Sequence, residues 1–108
     1  MRTEALVSDY IVNGLKCPAK YNGSHYLREC VIALVYNGDQ IGCLNSLYLS
    51  LAERHRTKPY NIERCIRTLT KGWWEESKCG GLFAKSPSNS ELIHTIVAQV
   101  KIKMMKVG

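Results

Sequence analysis

An all-α fold, a compact bundle of about six helices containing a helix-turn-helix, is what this sequence predicts. Three observations predict it. Apolar residues recur at helical spacing, most cleanly at Ile62, Ile66, Leu69 and Trp73. No segment shows the strict alternation of a half-buried strand. The breaks between periodic stretches fall at proline, glycine and asparagine, as helix ends do. With 108 residues and 45% apolar side chains, the chain is sized for a single domain, residues 1–108, with a modest core.

Met1 to Leu15 reads as a helix with Ala5, Leu6, Ile11, Val12 and Leu15 on its apolar side and Asn13-Gly14 at its end. Cys17-Pro18-Ala19 breaks the pattern, because the residue before a proline avoids the helical region. Lys20 to Gly23 is a loop with a turn signal at Asn22-Gly23. Ser24 is placed to cap a second helix, His25 to Tyr36. That helix buries Leu27, Cys30, Val31, Leu34 and Val35 and turns Ser24, Arg28 and Glu29 to water. Asn37-Gly38-Asp39 ends it, and Asp39 then caps a short third helix through Ile41, Cys43 and Leu44. Gly42 within it is weak by propensity and suits close packing.

Residues 47–74 form the helix-turn-helix. Leu47 to His55 is the first helix, with Leu47, Leu51 and Tyr48 inward and small Ala52 admitting a neighbour. Arg56-Thr57-Lys58 makes the turn, and Pro59 fits the first turn of the next helix, where its missing N–H costs nothing. Thr57 or Lys58 supplies the cap. The second helix, about 59–74, sets its apolar stripe against Asn61, Arg64, Arg67, Thr68 and Lys71. Lys78 to Pro87 is a loop interrupted by Gly80-Gly81, with Leu82 and Phe83 anchoring it. Ser88 or Asn89 caps a last helix, supported by Glu91. Its stripe is Leu92, Ile93, Ile96, Val97 and Val100, and the end from Met104 frays.

Charge points to a polyanionic partner. The formal net charge is +6, with a pI near 9.2. Six cations (Arg54, Arg56, Lys58, Arg64, Arg67, Lys71) against two anions (Glu53, Glu63) put +4 of it between Glu53 and Lys71. Lys101, Lys103 and Lys106 form a second cluster, read as a solvated tail. The five cysteines (Cys17, Cys30, Cys43, Cys65, Cys79) are odd in number and lack a C-x-x-C pair. They read as small hydrophobes, chiefly Cys30 and Cys65, in a reducing compartment. A signal-peptide core and a membrane-length apolar run are both missing from the sequence, so a soluble cytoplasmic protein is expected. His25, His55 and His94 are too scattered for a metal site. Neither a nucleophilic triad nor a phosphate-cradling glycine loop is evident, so no enzyme, cofactor or small-molecule substrate is expected. Trp73, Trp74, Tyr26, Tyr36 and Tyr48 read as core aromatics.

Pro18-Ala19, Gly23 and Tyr26-Leu27-Arg28-Glu29 match the P-A, G and Y-L-R-E of a known pattern, and on these and the motifs that follow the chain resembles the C-terminal DNA-binding domain of the sporulation response regulator Spo0A family. Gly42 falls on its glycine, and Leu47-Tyr48 with Ala52 on its L-Y-P-x-I-A helix. Thr57, Ile62-Glu63-Arg64, Ile66-Arg67 and Trp74 follow its T-T-x-S-R-V-E-R-A-I-R signature and the tryptophan after it. Leu82-Phe83, Pro87, Asn89-Ser90-Glu91 and Ile93 follow L-F and K-P-T-N-S-E-F-I. The chain departs from the pattern at Asn61 (arginine in the family), Tyr60 (serine), Leu49 (proline) and His55 (aromatic).

The resemblance implies a six-helix bacterial DNA-binding domain whose V-E-R-x-x-R helix enters the major groove, carried here by Glu63, Arg64 and Arg67. It also implies head-to-tail self-association on tandem sites. Full-length members carry a receiver domain and a linker. Too few residues precede Pro18 to form one, so an excised domain or a stand-alone relative is expected. The expected function is a sequence-specific double-stranded DNA-binding transcription regulator. Its base contacts are Asn61, Glu63, Arg64 and Arg67, and its phosphate contacts Arg54, Arg56, Lys58 and Lys71. The competing expectation is a helical protein-interaction module that kept the fold and lost specific DNA recognition.

Overall fold

The computed structural model describes residues 3–16, 22–41, 43–77, 83 and 85–107. All regular structure in them is helical: α1 (Thr3–Asp9), continued by a π-helical turn (Tyr10–Gly14), α2 (Gly23–Ile41), α3 (Leu44–Arg54), α4 (Pro59–Ser77) and α5 (Asn89–Val107). The Cys17-Pro18-Ala19 break, Gly42 and the Lys78–Leu82 part of the later loop lie outside the described residues. α2 packs on α4 and α5, α3 on α4, and α1 on α5 and α2. One apolar cluster drawn from every helix fills the space between them.

The first helix buries Leu6, Ile11 and Leu15 of the side its spacing suggests, but not Ala5 and Val12. Val7 and Tyr10 are buried with them, whereas Ala5 is exposed and Val12 is half open. The chain adds a residue to the turn at Tyr10–Gly14, where the Leu15 N–H reaches the Tyr10 carbonyl at 2.8 Å. Such a π turn resets the register. It rotates Leu15 inward and leaves Val12 on the outer side.

The second and third predicted helices are one. α2 runs through Asn37, whose φ of −132° and ψ of 26° make a kink where the Asn-Gly signal suggests an end. The short third helix shrinks to the piece after that kink. Cys43 is the extended residue before α3, and Leu44 begins α3. At the other end α2 starts at Gly23, so Ser24 lies inside it rather than capping it. A Cβ on Gly23 would lie 2.3 Å from the Cys65 carbonyl oxygen of α4. Only glycine permits that approach of one backbone to another.

α3 and α4 bury the predicted stripes: Leu47, Tyr48, Leu51 and Ala52 from the first, Ile62, Ile66, Leu69 and Trp73 from the second. The Trp73 indole N–H donates to the Leu15 carbonyl at 2.8 Å, and its ring meets Phe83 edge-on at 6.1 Å. Cys30 is fully buried and Cys65 half-buried. Tyr36 does not join the core; it is exposed, its hydroxyl 3.3 Å from Glu4 Oε1. α5 opens with a reciprocal capping box: Ser88 Oγ accepts from the Glu91 N–H, and Glu91 Oε1 from the Ser88 N–H, both at 3.1 Å. It does not fray at Met104 but continues to Val107, its last turns tied to the π-helical turn by Lys103 over the Tyr10 ring at 5.0 Å.

Candidate nucleic-acid interface

The turn between α3 and α4 has a local explanation. His55 is the C-cap of α3. Arg56 follows with φ of 54°, in the left-handed region. The Arg56 N–H returns to the Glu53 carbonyl at 3.3 Å and the Thr57 N–H to Ala52 at 2.9 Å. Those two bonds make a Schellman motif, with arginine where glycine is usual. Lys58 takes the cap position of α4, its carbonyl accepting from the N–H groups of Asn61 and Ile62. The Thr57 hydroxyl is used differently: it accepts from the Asn61 side-chain amide at 3.1 Å.

A carboxylate from α2 fixes the outside of this turn. Glu29 pairs with Arg54 at 2.8 Å and meets His55 Nε2 through its other oxygen. His55 also packs edge-on against Tyr26, 5.1 Å between ring centres. Glu29 therefore does not simply face water. The contact joins residues far apart in the chain, and no local pattern announces it. Asn89 is a second tie with no local signal. Its amide donates to the Glu63 carbonyl of α4 at 3.0 Å. Burial raises the Tyr48 pKa above the ordinary value, with the nearby Asn89 side chain opposing it.

On α4 the sites named from sequence lie outside the core. Arg64, Arg67 and Lys71 are exposed, as are Arg54, Arg56 and Lys58 around the turn. Asn61 and Glu63 are half-buried flanks. Arg64 donates to Asn61 Oδ1 at 3.1 Å, and Arg67 pairs with Glu63 at 3.0 Å, one helical turn back. Beside α4 lies a groove of about 690 Å³, with Arg67 and Lys71 on one wall, Tyr48 on another, and Asn89 and His94 of α5 beyond. The three histidines stay apart: His25 meets Arg28, His55 meets Glu29, and His94 lines the groove. Such a face, built of guanidinium, ammonium and amide groups, offers donors to phosphates and to base edges.

Residues 9–100 match the family described as Sporulation initiation factor Spo0A C terminal. The chain belongs to that family. The Spo0A C-terminal domain is a helical helix-turn-helix domain that binds DNA, tied to sporulation and transcription regulation, and it is not an enzyme family. The match spans α2, α3 and α4 entirely and stops at Val100, so the last turns of α5 and most of α1 lie beyond it. Among the described residues no helix is long and apolar enough to cross a membrane.

Proposed function

We propose that the whole chain acts as one sequence-specific, double-stranded DNA-binding regulator of transcription, with α4 in the major groove. One observation carries this reading. The face of α4 opposite Ile62, Ile66, Leu69 and Trp73 is open to solvent, cationic, and uncovered by any described residue. A helix seated that firmly on one side and that free on the other is built to enter a groove. Arg64 and Arg67 are the guanine readers. Glu63 accepts from a cytosine amino group or aims Arg67. Asn61 reads adenine on releasing Thr57 and Arg64; while bonded, it sets the direction of the Arg64 guanidinium. Arg54, Arg56, Lys58 and Lys71 hold phosphates. Tandem sites with head-to-tail copies, a bacterial source and a cytoplasmic setting complete the proposal by family membership.

Selection of bound sequences from a random duplex pool, followed by a gel shift, tests it. A motif should emerge, and Arg64→Ala should weaken binding to it by about 1–3 kcal/mol. Four phosphate contacts give a log–log salt slope of about −3.6, and Lys58→Ala should remove roughly one unit of it. Recovery of no motif, or equal binding by Arg64→Ala, rejects the reading. It would favour the helical protein-interaction module instead.

A further inference from the structure

We infer that Tyr60 is a specificity-determining residue on this face, reading a thymine through the C5-methyl group in the major groove. The inference rests on the DNA-binding reading above.

At about 100° per residue, Tyr60, Arg64, Arg67 and Lys71 fall within about 60° of one another on α4. That stripe lies opposite the buried one. Asn61 and Glu63 lie on its flanks, which agrees with their partial burial. Tyr60 heads the stripe in the first turn of α4, the end from which a recognition helix contacts base edges. It is 66% exposed, the most open aromatic side chain among the described residues. Its ring and hydroxyl have no partner there, while its neighbour Asn61 has both ends of its amide engaged. A large ring left free in a stripe of cations is available for an apolar contact that the cations cannot make. In the major groove the base edges offer one apolar group, the thymine methyl. The ring suits that contact, and the hydroxyl beyond it suits a phosphate oxygen.

The test replaces thymine by deoxyuridine, one position at a time, in the motif that the intact protein selects. This deletes a methyl and leaves base pairing intact. At one thymine the wild-type protein should lose about four-fold in affinity, the worth of one buried carbon. Tyr60→Phe should keep that sensitivity and Tyr60→Ala should abolish it. Circular dichroism confirms that the exposed-site variants fold. Indifference of the wild type to every replacement overturns the inference. So does a Tyr60→Ala protein that still senses the methyl, or loss of the sensitivity through Asn61→Ala instead. A wild type that selects no motif refutes the DNA-reading function itself. A motif without methyl dependence refutes only the role of Tyr60.

Discussion

The two faces of α4 are held by different kinds of contact. On the buried face the ties are long-range: Trp73 to the Leu15 carbonyl, Asn89 to the Glu63 carbonyl, and Gly23 against Cys65. On the open face they are local, each within one helical turn: Thr57 with Asn61, Asn61 with Arg64, Glu63 with Arg67. The buried contacts decide where the helix sits. The open ones decide where its arginines point, and they travel with the helix. Stability and base preference should therefore be separable by mutation.

The largest expected effect is on the buried side. Trp73→Ala should cost about 3–5 kcal/mol in denaturant unfolding, since it empties a fully buried site and strands the Leu15 carbonyl. Measured where it remains folded, it should keep the wild-type motif. A changed motif would mean that the two faces are coupled. Arg64→Ala tests the reverse. Its unfolding free energy should stay within about 0.5 kcal/mol of wild type while motif binding falls by the margin given above. Smaller still is Arg56→Gly. Relief of the left-handed arginine, less the extra freedom glycine gives the unfolded chain, should raise stability by about 0.5–1 kcal/mol. The same change should flatten the salt dependence of binding, so that one substitution moves the two properties in opposite directions.

The mildest probe is thiol chemistry. Burial, with Glu29 adding to it, pushes the Cys30 thiol up to about 12. Since only the thiolate reacts, native Cys30 should be silent toward a thiol reagent at pH 7 and report global unfolding. Cys43 is exposed, and hydrogen bonds from the Ser46 side chain and then its backbone N–H lower its pKa. Among the described cysteines it should be labelled first, at a rate that rises with pH until the thiolate is fully formed.

Much of this fold is legible in the sequence, because a 3.6-residue stripe is local information. The stripes of α3, α4 and α5 and the Ser88–Glu91 capping box all follow from spacing and residue type. The register of α1 does not follow, because the extra residue at Tyr10–Gly14 leaves no mark in the apolar pattern. Nor does the Glu29 clasp on Arg54 and His55, which depends on how α2 lies across α3. At the candidate site, sequence picks out the exposed cations. Spacing alone does not separate Tyr60, free in the centre of the stripe, from Asn61, bonded at its edge.

Gly23 lends this arrangement an unexpected sensitivity. A Cβ added there would sit 2.3 Å from the Cys65 carbonyl oxygen, closer than side-chain carbons come to such an atom, so one of the two backbones has to give way. Alanine at position 23 would act as a wedge between α2 and α4, and its cost would fall on the whole bundle rather than on either helix alone.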